Sequence, residues 1–138
     1  MTAIRQGGAE DLDAVAAIQQ ASLGAARWKV ADYLEQEFWV ALQENRIVGF
    51  LVARTLAPDE REILNLAVVP DCRRKGVARA LIDSTLRSFR GDVFLEVRES
   101  NSVAQAFYKS LGFKVLSKRR GYYDLPPESA IVMKFHSC

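Results

Sequence analysis

The segment from Glu62 to Phe89 reads EILNLAVVPDCRRKGVARALIDSTLRSF, and its pattern decides the fold. Glu62 to Val69 is apolar at almost every position, as in a strand covered on both faces and therefore central in its sheet. Pro70 ends that strand, because proline has no N–H to give the ladder. After a basic turn, Ala78, Leu81, Ile82, Leu86 and Phe89 recur at helical spacing, so Val77 to Phe89 reads as a helix. Gly91 breaks it, and Val93 to Val97 forms the next strand. This strand–helix–strand crossover is the frame on which the rest is placed.

On the N-terminal side, Leu12, Val15 and Ile18 mark a helix from about Glu10 to Ala21, with Glu10, Asp11 and Asp13 in its first turn, where the helix dipole favours acids. A second helix is expected around Val30 to Glu37, carrying Val30, Tyr33 and Leu34. Phe38 to Leu42 and Ile47 to Ala53 are short apolar runs joined by Gln43-Glu44-Asn45-Arg46, a hairpin pattern. On the C-terminal side, Asn101 or Ser102 caps another helix, and Ser102 with Gln105 spells a capping box. Gly112 closes that helix. Phe113 to Ser117 and Ala130 to Phe135 are the last strands, with a polar, proline-containing loop between them. The order αα, ββ, βαβαββ describes a mixed α/β sheet with helices on both faces.

Composition bounds the function. The chain has 138 residues, 49% hydrophobic and 26% charged, with 8 Gly and 4 Pro, so residues 1–138 are expected to form one globular domain. The longest apolar run, Ile47 to Ala53, has seven residues, far short of the about 20 that a membrane span needs. Met-Thr-Ala-Ile-Arg at the start lacks a signal peptide's apolar segment, which points to the cytoplasm. Cys72, Cys138 and the lone His136 fit neither a disulfide framework nor a metal site. A net charge of +2 argues for no nucleic-acid partner, so the location of the cations matters more than their number.

They gather in one place. Arg73, Arg74, Lys75 and Arg79 surround Gly76 where the central strand turns into a helix. A helix start offers unpaired N–H groups and a positive dipole end, and both attract phosphate. Gly76 and the small Ala78 leave the backbone approachable. The spacing is neither that of an ATP-binding P-loop nor that of a dinucleotide fingerprint. A solvated basic turn capping a helix is the bland alternative for the same residues.

The pattern Arg73-x-x-Gly76-x-Ala78 resembles the Arg/Gln-x-x-Gly-x-Gly/Ala signature of the GCN5-related N-acetyltransferases (GNAT). Within that family it looks like the RimI type, which acetylates the N-terminal alanine of a small-subunit ribosomal protein. Asn65-Leu66-Ala67-Val68, Leu95-Glu96-Val97-Arg98-x-x-Asn101 and Ala106-Phe107-Tyr108-x-x-Leu111-Gly112-Phe113 carry the likeness, with Arg119-Arg120-Gly121-Tyr122-Tyr123 and Glu128-Ser129-Ala130-Ile131-Val132-Met133. In the first half, Arg27-Trp28 stands where RimI proteins usually have Pro-Trp.

The resemblance implies the GNAT fold: a central, mixed, mostly antiparallel sheet of six to seven strands flanked by four helices. It implies acetyl-CoA as co-substrate and no metal. Backbone groups of Leu66, Ala67 and Val68 would pair with the pantetheine arm like an added strand. Arg73, Arg74, Lys75, Gly76, Val77, Ala78 and Arg79 would hold the pyrophosphate, and Asn101 the cofactor arm. A simple helix cap is an equally good reading of Asn101.

An α-amino group has a pKa near about 8 and is mostly protonated at neutral pH, so its attack on a thioester needs a base. Glu96 fills the family's base position; an ion pair with Arg98 is the alternative. Tyr108 fills the position of the acid that protonates the leaving thiolate, with aromatic packing beside Phe107 as the alternative. Tyr122 and Tyr123, placed in the loop before the last strand, would wall the peptide end. Glu62 would attract the ammonium group, unless it is ordinary loop charge beside Glu60 and Arg61. These residues favour a protein or peptide N-terminus as acceptor. A small amine or lysine side chain needs the same base and acid and stays open. A non-catalytic CoA-binding or RNA-associated module rests only on Arg73–Lys75 and Lys118–Arg120, which lack aromatic interleaving.

Overall fold

The computed structural model describes residues 2–22, 29–73, 76–124 and 127–137. Strands β1 (Ala3–Gln6), β2 (Glu37–Gln43), β3 (Arg46–Ala57), β4 (Glu60–Val68), β5 (Gly91–Arg98), β6 (Lys114–Asp124) and β7 (Pro127–Ser137) form one sheet in the order β1-β2-β3-β4-β5-β7-β6. Helices α1 (Leu12–Ala21), α2 (Val77–Arg87) and α3 (Ser102–Ser110) flank it, with a 3-10 turn at Val30–Glu35 where a second helix was expected. β4 holds the middle position. Its pairing with β5 is parallel, through the α2 crossover, while the other neighbours pair antiparallel.

The β2–β3 hairpin turns on Glu44 (φ 51°) and Asn45 (φ 64°), the two consecutive left-handed residues of a type I′ turn. Each sheet face has its own core. Val15, Ile18, Tyr33, Phe38, Val40, Phe50 and Val52 fill the α1 face, and Leu51, Leu81, Ile82, Val93, Leu95, Phe113 and Met133 fill the α2 and α3 face. Helices therefore do lie on both faces.

Two strand assignments change. β1 carries no apolar pattern, since it is mostly exposed, and it is fixed by backbone pairing to β2. Asp11 tethers it as well. Asp11 is buried, and its carboxylate accepts two bonds from Arg5 (2.7 and 2.9 Å) and one from the Gly8 N–H (2.9 Å). The expected loop between the last strands is largely strand: β6 continues through Tyr122 and Tyr123 to Asp124, and β7 starts at Pro127.

Candidate functional site

β4 and β5 pair only from Glu60 to Ile63 against Asp92 to Leu95, although β4 runs to Val68 and β5 to Arg98. Beyond that point the two strands part, and a gap opens in the sheet. A bulge in β4 marks the fork: Val52 faces Asn65 and Ala53 faces Ile63, leaving Leu64 extra. Bulges re-aim side chains. Here Ile63 and Leu66 pack with the α2-side core, whereas Leu64 and Ala67 pack with the α1-side core.

The edge of β4 that borders the gap is the one expected to hold a ligand backbone-to-backbone. Val69 donates its N–H to the Val48 carbonyl (2.8 Å), so strand alternation turns the polar groups of Val68 and Leu66 away from β3 and into the gap. Two of this chain's own side chains reach them. Asn65 Oδ1 accepts from the Leu66 N–H (3.0 Å), and Arg73 Nε donates to the Val68 carbonyl (3.0 Å). Asn65 is buried, and its Nδ2 donates to Gln19 Oε1 (3.1 Å) and Tyr33 Oη (3.2 Å). The gap edge is thus tied to α1 and the 3-10 turn.

At the start of α2, Gly76 is the N-cap with φ 81°, a left-handed conformation that favours glycine. Beyond its chain neighbours, a Cβ there would meet none of the described residues within 4 Å. The glycine answers a backbone need and also leaves the space beside the helix start open. Arg73 and Arg79 are exposed, and Ala78 is partly buried. The Val77 side chain is in the core, so only its backbone remains for a ligand. Arg74 and Lys75 lie outside the described residues, as do Arg27, Trp28 and Cys138. Asn101 caps α3, its Oδ1 accepting from the Ala104 N–H (3.1 Å). The expected Ser102–Gln105 box gives way to it: Gln105 Nε2 donates instead to the carbonyls of Arg98 (3.1 Å) and Glu99 (2.9 Å).

On β5, Val93, Leu95 and Val97 are buried toward α2 and α3, so Phe94, Glu96 and Arg98 occupy the opposite face. The Glu96–Arg98 ion pair considered above does not form. Arg98 binds Glu128 (3.3 Å), a carboxylate held below its ordinary range chiefly by hydrogen bonds from Ser100, with Arg98 adding to the effect. Glu96 Oε1 instead accepts from Arg119 Nη1 (3.1 Å), and Glu96 Oε2 is buried without a hydrogen-bond partner. The Arg119 guanidinium lies 4.3 Å above the Tyr122 ring. Burial pushes the Tyr122 phenol up; Glu96 and Glu62 reinforce the shift, and Arg119 and Arg54 oppose it. Glu62, in β4 rather than a loop, pairs with Arg54 (2.6 Å).

Glu62, Glu96 and Tyr122 therefore gather on one face, each carboxylate bound to an arginine. Tyr123 shares the strand with Tyr122, opposite Glu128 in the β6–β7 pairing. Tyr108 is on the α3 side, partly buried, with its ring 5.4 Å from Phe107 and edge-on to Phe113 at 5.7 Å. Glu96 and Tyr108 thus lie on opposite sides of the sheet. Sequence reasoning missed Arg119 and Arg54 as the partners of this cluster, and Asn65 as the side chain that ties the gap edge to α1. Gly121, a glycine inside a strand, was the available sign of the irregularity that folds Arg119 over Tyr122. Among the described residues, no group of three His, Cys, Asp or Glu could hold a metal, and no helix is long and apolar enough to cross a membrane.

Comparison with known proteins gives this geometry a family. Residues 11–113 match the model of the acetyltransferase (GNAT) family. The chain belongs to that family. Ribosomal protein bS18-alanine N-acetyltransferase of Haemophilus ducreyi is 32% identical over 113 residues, 77% of this chain and 75% of that protein. The Escherichia coli enzyme of the same name is 38% identical over 97 residues, 66% of this chain and 65% of the relative, just under two thirds of its length. Its crystal structure, under the name ribosomal-protein-S18-alanine N-acetyltransferase, has a TM-score of 0.86, with 99% of this chain and 94% of the other covered. Ard1 from Thermoplasma volcanium, 31% identical, has a TM-score of 0.90 with 99% and 98% covered. As a GNAT acetyltransferase, the chain takes its acetyl group from acetyl-CoA. The forked sheet and the unobstructed helix start at Gly76 are features that such a donor fits.

Proposed function

We propose that this GNAT acetyltransferase, residues 1–138 acting as one domain, moves the acetyl group of acetyl-CoA to the α-amino group of a protein N-terminus. An alanine end such as that of a ribosomal protein is the favoured acceptor. The observation that supports the reading is that Glu96 and Tyr108 lie on opposite sides of a sheet that forks between β4 and β5, with Glu62 and Tyr122 on the Glu96 side. The names of relatives at 32 and 38% identity support the acceptor class.

The pantetheine arm lies along the gap edge of β4, exchanging Asn65 and Arg73 for its own amides at Leu66 and Val68. Its pyrophosphate rests at the start of α2, between Arg73 and Arg79. Asn101 already spends its side-chain oxygen on the α3 cap, so its Nδ2 is the group left to donate to the arm. The α-ammonium enters past Glu62 and Tyr122. Glu96 takes a proton from it, and the freed amine nitrogen attacks the thioester carbonyl carbon. The new C–N bond forms as the C–S bond breaks, and Tyr108 returns a proton to the thiolate. Among the described residues, no Cys, Ser or His stands in this cluster, which favours direct transfer within a ternary complex.

The test offers acetyl-CoA with peptides that differ in their first residue, an alanine-initiated one included, beside polyamines and free amino acids. Release of free thiol is measured. Turnover concentrated on peptide N-termini is the expected result; turnover on polyamines alone would overturn the acceptor assignment.

A further inference from the structure

The mechanism leaves one contact of Glu96 unused. Its two carboxylate oxygens are unequal. Oε2 is buried and has no hydrogen-bond partner, while Oε1, on the open side, is already taken by Arg119. The only oxygen that an entering amine can reach is therefore occupied by a cation of this chain. That cation is deliberately placed. β6 and β7 lose register between Arg119 and Tyr123: Arg119 faces Ala130, and Tyr123 faces Glu128. Four steps along β6 thus match two along β7. Gly121 takes a left-handed φ of 64° within the irregularity. The distortion lays the guanidinium on the Tyr122 ring at 4.3 Å, a cation–π contact that restrains a side chain still 60% exposed.

We propose that Arg119 is a gate on the base: it stands at Glu96 Oε1 as an internal substitute for the acceptor's α-ammonium, and a cationic acceptor enters by displacing it. The inference rests on the reading of Glu96 as the base. Exchange of one cation for another keeps the carboxylate paired throughout, whereas a neutral, non-basic group cannot displace the guanidinium on equal terms. The gate thus selects for amines that arrive protonated, and it places the arriving nitrogen at the oxygen that takes its proton. Displaced from Oε1, the guanidinium retains the Tyr122 face to rest on.

The test is Arg119→Gln, measured by peptide affinity in the presence of CoA by calorimetry and by steady-state turnover with an alanine-initiated peptide. The ion pair is exposed on one side and part-buried on the other, so its removal should tighten peptide binding roughly two- to fivefold. Ethylguanidinium added to Arg119→Ala should restore the weaker binding, competitively with peptide and not with acetyl-CoA. A fall in kcat with peptide affinity unchanged would overturn the gate and make Arg119 a positioning residue. Weaker peptide binding would overturn it too and make Arg119 a substrate contact. Glu96→Gln, run alongside, separates the two levels. If it turns over like wild type, the base assignment falls and the gate with it; if it is inactive while Arg119→Gln leaves affinity unchanged, only the gate falls.

Discussion

Gly76 offers the sharpest test of how the cofactor loop works, because its conformational and its steric roles separate cleanly. It is the N-cap of α2 with φ 81° and ψ 8°. Placing a β-carbon on a left-handed residue costs about 1–2 kcal/mol. Part of this is offset by about 0.4–1 kcal/mol, because alanine also restricts the unfolded chain. Beyond its chain neighbours, no described residue comes within 4 Å of the added Cβ, so no clash with them adds to the total. Gly76→Ala should therefore lose about 1 kcal/mol, a fall in Tm of roughly 3–5 °C for a domain of this size. Gly76→Asn should lose less, since asparagine tolerates the left-handed region. Cofactor binding should not follow that ranking. If the pyrophosphate packs against the bare backbone, alanine and asparagine both intrude on it, and CoA affinity falls at least roughly tenfold in both. Gly76→Glu, which adds a negative charge, should abolish binding. Thermal unfolding without ligand measures the first effect and calorimetric titration with CoA the second. Wild-type affinity in all three variants would refute the loop as the phosphate site. A Tm loss far above the torsional cost would show instead that the space around Gly76 is not open.

Three further outcomes are expected. Glu96→Gln and Tyr108→Phe should each lower turnover by at least roughly tenfold while acetyl-CoA still binds; unchanged turnover in both would reject the acid–base assignment. Asn65→Ala strips a partner from Gln19 and Tyr33 and should cost about 1–3 kcal/mol in urea unfolding. CoA affinity should not fall with it, because the ligand replaces Asn65 at the Leu66 N–H; a loss of affinity would show that Asn65 stays in place when CoA binds. Asp11→Asn should cost about 1–3 kcal/mol at neutral pH. The hydrogen-bonded Arg5 guanidinium holds the Asp11 carboxyl below its ordinary 3.8, so its contribution is present above that pH and lost as pH falls through the lower folded value. The wild-type and Asp11→Asn stability curves should therefore converge in acid, and a constant difference down to pH 2 would contradict the assignment.

What was legible in the sequence followed from how local each interaction is. The crossover from Glu62 to Val97 was readable because burial on both faces of β4 leaves an apolar run, and α2 repeats its apolar face every turn. β1 was not, because an edge strand with three of four residues exposed is specified by its backbone partner rather than by its side chains. The reach of β6 was hidden for a related reason: Lys118, Arg119 and Arg120 read as loop, yet charged residues are what an edge strand carries to discourage further pairing. The expected helix at Val30 shortened to a 3-10 turn, since six residues are too few for stable α-helical propagation.

The site divides along the same line. Gly76 and its cations announce themselves because strand, turn and helix are consecutive, and Glu96 does so because alternation along a single strand sets its face. The partner of Glu96 could not be read that way. Arg98 is two residues off on the same strand and face, and local reasoning prefers it. Yet Arg98 stands opposite Ala130 and Glu96 opposite Val132 on β7, and β6, on the far side of β7, brings Arg119 opposite the same Ala130. The guanidinium thus reaches Glu96 diagonally across an intervening strand, while Glu128, two residues along from Ala130, takes Arg98. Which cation meets which carboxylate is decided by the register of three strands joined by long connections. A single residue of slip in β7 would carry Ala130 to the opposite face and undo both pairs at once. The Ala130 position therefore fixes the charge state around the base as firmly as any charged residue does, although its side chain carries no chemistry.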